Sequence, residues 1–178
     1  MEASTSPTSP PRHHDARAAI RPWNDPMVDQ RGHDPRSAYV ERYWLGVIGP
    51  TATLIMRRFA DEFDRSPDGF VVDLAHTAST MGLSFTKGQH SPFGRSLHRC
   101  VMFGLARPTS DGYEVRRMFP NVAQRHISRL PDDVQEAHHD WARRTFHLDR
   151  RELEQQLVSL GITPRAAARA SEAIALAS

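Results

Sequence analysis

Arg95 and Arg99 are the residues of this chain whose type and spacing point most directly to chemistry. The guanidinium is a planar fork that donates two parallel hydrogen bonds, which suits guanine edges and phosphate oxygens. A spacing of four puts both on one face of a helix. Ser91, Ser96, His98 and Met102 flank that face, while Phe93, Leu97, Cys100 and Val101 recur at helical spacing toward the other side. Pro92 suits a first helical turn, where its missing amide has no intrahelical role, and such a helix end can face a phosphate. Residues 93–103 thus read as a helix with one basic face. An ordinary core helix with a solvated basic side would carry the same pattern, so the neighbours decide.

The neighbours supply an order of elements. Phe70-Val71-Val72 reads as a short strand, Asp73 as an N-cap, and Leu74 to Met81 as a helix ended by Gly82. A polar connection from Ser84 to Ser91 leads to the basic helix, which Gly104 closes. Leu105-Ala106-Arg107 and Tyr113 to Arg117 then flank Pro108-Thr109-Ser110-Asp111-Gly112, which is turn chemistry between two short strands. Strand, helix, turn, helix, hairpin is the order of a winged helix-turn-helix, whose second helix enters a major groove while the hairpin touches the backbone.

Charge is concentrated in the same place. The 178 residues carry a formal charge of only +2, with a pI near 9.1. Between Lys87 and Arg129 the bases are Lys87, Arg95, Arg99, Arg107, Arg116, Arg117, Arg125 and Arg129, against Asp111 and Glu114, so this segment is +6 by subtraction (eight minus two). A basic block on such a motif is the electrostatic footprint of nucleic-acid binding. Lys87 is the sole lysine, and the preference for arginine, which a GC-rich genome would impose on any chain, does not itself point to DNA.

This segment resembles the winged-helix DNA-binding superfamily of bacterial regulators, and the whole chain looks like a regulator of actinobacterial type. The resemblance is carried by Leu74-Ala75, Gly82-Leu83-Ser84, Arg95-Ser96-Leu97-His98-Arg99 and Phe103-Gly104-Leu105-Ala106. It covers about a third of the chain, and the connection from Leu83 to Pro92 is longer than the tight turn usual there. The expected fold is mainly α with a small β-hairpin: a winged helix-turn-helix with extra N-terminal helices and a C-terminal helical extension. The expected partner is double-stranded DNA. Lys87, Ser91, Arg95, Ser96, His98 and Arg99 are its candidate contacts on and before the helix, and Arg107, Arg116 and Arg117 those of the wing. His76, His90, His98 and His126 near this surface would make binding pH-sensitive.

The flanks read as support. Residues 1–33 are expected to be a disordered tail, with Ser4 to Pro11 extended and Trp23 either packed back on the domain or holding a protein partner. Residues 34–130 are expected to form the winged domain with its N-terminal extension. Asp34-Pro35 would open a first helix with Tyr39, Val40, Tyr43, Trp44, Val47 and Ile48 inward. After Gly49-Pro50 a second would turn Leu54, Ile55, Phe59 and Phe63 to the core. Residues 131–178 should hold further helices, one from Pro131 and one capped by Asp149 with Leu153, Leu157 and Leu160 on one side. After Gly161 an Ala-rich helix would close a hairpin that packs as a lid or joins a homodimer.

Several classes lose support. With 39% hydrophobic residues and a mean hydropathy of −0.56, no run approaches a membrane span, and the Ser/Thr/Pro-rich start lacks a signal-peptide core. The single cysteine allows no internal disulfide, so a cytoplasmic, nucleoid address is expected. No phosphate-cradling loop, His-Glu-x-x-His or Gly-x-Ser-x-Gly occurs. His13-His14 and His138-His139-Asp140 lack the spacing of a helical zinc site. No enzyme, cofactor or metal is expected; the alternatives to a regulator are a winged-helix protein–protein adaptor and a non-specific nucleoid-associated DNA-binding protein.

Overall fold

One of the two central strands of the sheet comes from a segment that composition alone marks as tail. In the computed structural model, which describes residues 17–176 (the side chains of 146–149 and 174–176 excepted), β1 (Arg17–Pro22) lies between β2 (Phe70–Asp73) and β4 (Gly112–Val115). The fourth strand, β3 (Ala106–Pro108), borders β4 on its outer side. β1 is antiparallel to β2, with Ala18 opposite Val72, and parallel to β4, with Ile20 opposite Tyr113. Ala18 and Ile20 are buried while Arg17 and Arg21 are exposed, the period-two alternation of a half-buried strand. Gly112 permits the close parallel pairing, because a Cβ there would lie 1.9 Å from the Ala19 carbonyl oxygen.

The expected tail over 1–33 is therefore corrected for residues 17–33. Two inward side chains and a ladder on each edge suffice to hold this strand, and both ladder partners lie far along the chain, where local composition carries no trace of them. A mixed four-stranded sheet stands where a hairpin and a short strand over Phe70-Val71-Val72 were expected. A short helix, α1 (Pro26–Arg31), follows, with the Asp25 carboxylate accepting from the Val28 amide at 3.3 Å. The Ser4–Pro11 run and His13-His14 lie outside the described residues.

Asp34-Pro35 forms a turn rather than a helix start. The Asp34 carboxylate accepts from the Arg36 amide at 2.6 Å, and the Arg36 guanidinium pairs with Asp34, Asp61 and Asp64, fastening the turn to the next long helix. A π-helical turn (Val40–Trp44) runs into α2 (Leu45–Ile48), and the expected inward set from Tyr39 to Ile48 is buried. Gly49, at φ 82°, breaks the chain before α3 (Pro50–Arg65). Ile55, Phe59 and Phe63 are buried there with Ala52 and Met56, but Leu54 is 44% exposed. It sits about 100° around the helix from Ile55, off the face that those five define.

Phe70 on β2 rests edge-on against Phe59 and Phe63, which joins sheet to helix. Asp73 caps α4 (Leu74–Thr80), accepting from the His76 amide at 2.9 Å. The connection includes a 3-10 turn (Gly88–His90) and ends at α5 (Pro92–Met102). Gly82 and Gly104, both at positive φ, end α4 and α5 as expected.

The chain divides after His126 into two compact units, within α6 (Gln124–Ile127) and slightly before the expected boundary at 130. In the second unit α7 (Asp132–Ser159) is one continuous helix where two were expected. No glycine or proline interrupts it, so the acid at Asp149 does not start a new helix; its side chain lies outside the described residues. α8 (Pro164–Leu176) packs on α7, with Ala167 and Ser171 buried and the Ser171 hydroxyl donating to Glu154 at 2.8 Å. Leu153 and Leu157 are half-buried, whereas Leu160, expected on the same side, is 79% exposed. No helix among the described residues is long and apolar enough to cross a membrane.

Candidate nucleic-acid interface

α5 is built from its cap inward. The Ser91 hydroxyl accepts from the Gly94 amide at 3.0 Å and donates to the Gly88 carbonyl at 2.6 Å, which locks the 3-10 turn onto the first helical turn. Gly94 lets the two backbones meet, since a Cβ there would lie 2.3 Å from the Gly88 oxygen. Phe93, Leu97 and Cys100 are buried; Phe85 meets Phe93 edge to face, and α3 packs alongside. Burial pushes the Cys100 thiol up to about 12, so it is an inert core group. Val101, expected inward, is half-buried.

The outer face is what this packing leaves. Arg95, His98, Arg99 and Met102 stand at i, i+3, i+4 and i+7 and are all exposed, Met102 to 70%. The structure thus brings three of the expected contacts into one stripe, and Met102 joins them. Arg99 is partly committed: its guanidinium donates to the Val47 carbonyl at the end of α2 at 3.1 Å and lies 5.9 Å from the Phe103 ring. The Ser96 hydroxyl is turned back to the Pro92 carbonyl at 2.9 Å. Ser91 leaves the set of candidate contacts, because it is 1% exposed and its hydroxyl is spent on the cap. Lys87 is exposed just before the 3-10 turn.

The hairpin departs most from expectation. Trp23, which follows β1, has two of the expected wing cations over its ring, Arg107 at 4.7 Å and Arg116 at 4.0 Å from the centroid. Arg107 also pairs with Glu114. Arg116 donates from Nε to the Gly104 carbonyl at 2.8 Å and from Nη1 to Asp25 at 2.6 Å, and its side chain is only 13% exposed. The Arg116 hydrogen bond holds the Asp25 carboxyl below its usual range. Arg21 does the same to Asp111 in the turn, whose pKa falls to about 2. Arg117 is exposed, with its guanidinium 5.7 Å from the Phe63 ring.

Two of the three expected wing cations, Arg107 and Arg116, are therefore paired with acids, whereas Arg117 and the cations of α5 remain exposed. Trp23 packs back, which was one of its two expected fates. Asp25 and Arg21 escaped sequence reasoning as partners of the hairpin. A signal for the first was present: Asp25-Pro26 is an N-cap followed by proline at a first helical position, a helix start inside the supposed tail. Neither a protein-family model, nor a curated protein, nor a solved structure matches the chain.

Proposed function

We propose that this chain is a DNA-binding regulator of winged helix-turn-helix type, with α5 in the major groove. One observation carries the reading: α5 exposes Arg95, His98, Arg99 and Met102 along one face while its other face is buried, and no acid occurs from Leu74 to Ser110. The order α3, β2, α4, α5, β3, β4 supports it, with β1 added between β2 and β4. In this reading Arg95 and His98 contact DNA directly, Arg99 fixes the angle of α5 through the Val47 carbonyl, and Lys87 and Arg117 approach phosphates. Arg107 and Arg116 shape the hairpin instead. A cytoplasmic, nucleoid location goes with this role, and the proposal assigns the chain no catalytic step.

The test is fluorescence anisotropy on a pool of genomic DNA fragments at two salt concentrations, with wild type and Arg95→Ala. Enrichment of particular fragments, lost in the variant, supports sequence reading. Uniform, salt-sensitive binding would replace it with non-specific compaction, and no binding at low salt would overturn it.

A second reading, a protein-binding adaptor, has its own observation. A groove of about 430 Å³ runs along β2, an edge strand, floored by Phe59 and Phe70 and walled by α3. Such an edge beside a helix accepts an extended peptide as an added strand. Co-purification of a defined protein without nucleic acid, abolished by Val71→Pro, would favour it. Self-association through α7 and α8 belongs to the proposal as well, supported by the exposed Val158, Leu160 and Ile162 at their turn. Sedimentation that reports a monomer at micromolar concentration would remove that part.

A further inference from the structure

The exposed stripe of α5 has a chemical order as well as a charge. Arg95 stands at its N-terminal end, Met102 at its C-terminal end, and His98 between them. A methionine 70% exposed on a helix whose inner face is fully occupied by Phe93, Leu97 and Cys100 has no core to fill. In a major groove its apolar counterpart is the C5-methyl group of thymine, the one apolar group that a base edge offers there. Arg95 has no ion-pair partner among the described residues, and its bidentate counterpart on a base edge is the N7 and O6 pair of guanine.

Seven residues of α-helix rise about 10.5 Å, and a helix in the major groove follows it obliquely to the duplex axis, so the two ends of the stripe reach bases about two to three base pairs apart. Arg99 is held by the Val47 carbonyl, and Ser96 by its own helix, so neither competes for the base edges between. Charge complementarity commits the face to DNA: the stripe and Lys87 are cationic or neutral, and the nearest acids in sequence, Asp73 and Asp111, are engaged at a cap and with Arg21.

We infer that α5 selects duplex sites in which a guanine read by Arg95 lies about two to three base pairs from a thymine whose methyl group meets Met102. This inference rests on the DNA-binding reading above and gives it a specificity.

The experiment selects random duplexes with the whole 178-residue chain, then alters single atoms of the enriched site. Replacing the thymine by uracil removes only the methyl group, and replacing the guanine by 7-deazaguanine removes only the N7 acceptor. Uracil should weaken binding by wild type about fourfold. It should leave Met102→Ala unaffected. Deazaguanine should weaken wild type about tenfold and Arg95→Ala little. Circular dichroism confirms that both surface variants are folded. Enrichment of a site without this guanine and thymine pair, or equal atomic losses in wild type and variants, would overturn the inference while leaving DNA binding standing. Failure to retain any duplex at low salt would overturn both.

Discussion

Arg116 shows how a residue's surroundings can reassign it. As a basic residue beside a hairpin it looks like a phosphate contact, yet its guanidinium is stacked on Trp23, bonded to the Gly104 carbonyl and paired with Asp25. Removing it leaves a partly buried carboxylate and a carbonyl without their donor. Arg116→Ala should therefore cost about 2 kcal/mol of stability, measured by urea denaturation. His33 offers a pH-dependent counterpart. Its ring stacks on Tyr39 at 3.6 Å and its Nε2 meets the Asn121 carboxamide oxygen at 2.8 Å, beside the bridge between His33 and Phe119. Burial lowers its pKa below 6.5, against a smaller opposing effect of Asn121. The folded chain thus prefers neutral His33, whose contribution is complete above pH 6.5 and lost as pH falls through the lower folded value. Melting temperatures between pH 7.5 and 5 should fall more steeply for wild type than for His33→Gln; parallel profiles would remove His33 as the cause.

β1 is the element whose role is set by partners distant in sequence. It bridges β2 and β4, so the sheet is continuous only while β1 is in place. Ile20, fully buried, is its anchor. Ile20→Ala should destabilise the first unit by about 2–4 kcal/mol, a cavity cost that a residue in a solvated tail would not incur. A change below 0.5 kcal/mol in thermal or chemical unfolding would mean that the strand is dispensable. α5 behaves differently: its proline start, terminal glycine and most of its inward set were legible locally, because helix hydrogen bonds close within four residues. What the local pattern could not give was the fate of each outward side chain. Ser91 and Ser96 turn back to backbone, and Arg99 reaches α2.

Across the whole molecule, the fold redistributes charge without changing its total. The hairpin cations Arg107 and Arg116 are matched by Glu114 and Asp25, whereas Arg95, Arg99 and Arg117 are exposed and paired with no acid among the described residues. If DNA is the partner, the slope of log affinity on log salt should fall by about one for Lys87→Ala and stay unchanged for Arg107→Ala, because only a cation that neutralises a phosphate releases counterions. Equal slopes for wild type and Lys87→Ala would remove Lys87 from the contact set. The sequence by itself determined the mainly helical character, the positions of α3, α4 and α5, the turn chemistry of the hairpin and the site of the basic block. Each of these is encoded within a few residues by period, cap and turn. Only the tertiary structure decided that β1 belongs to the sheet, that Arg107 and Arg116 lie over the Trp23 ring and that these two hairpin cations are paired with Glu114 and Asp25. Strand ladders and ion pairs join residues far apart in the chain, and no local pattern specifies which of many compatible partners is met.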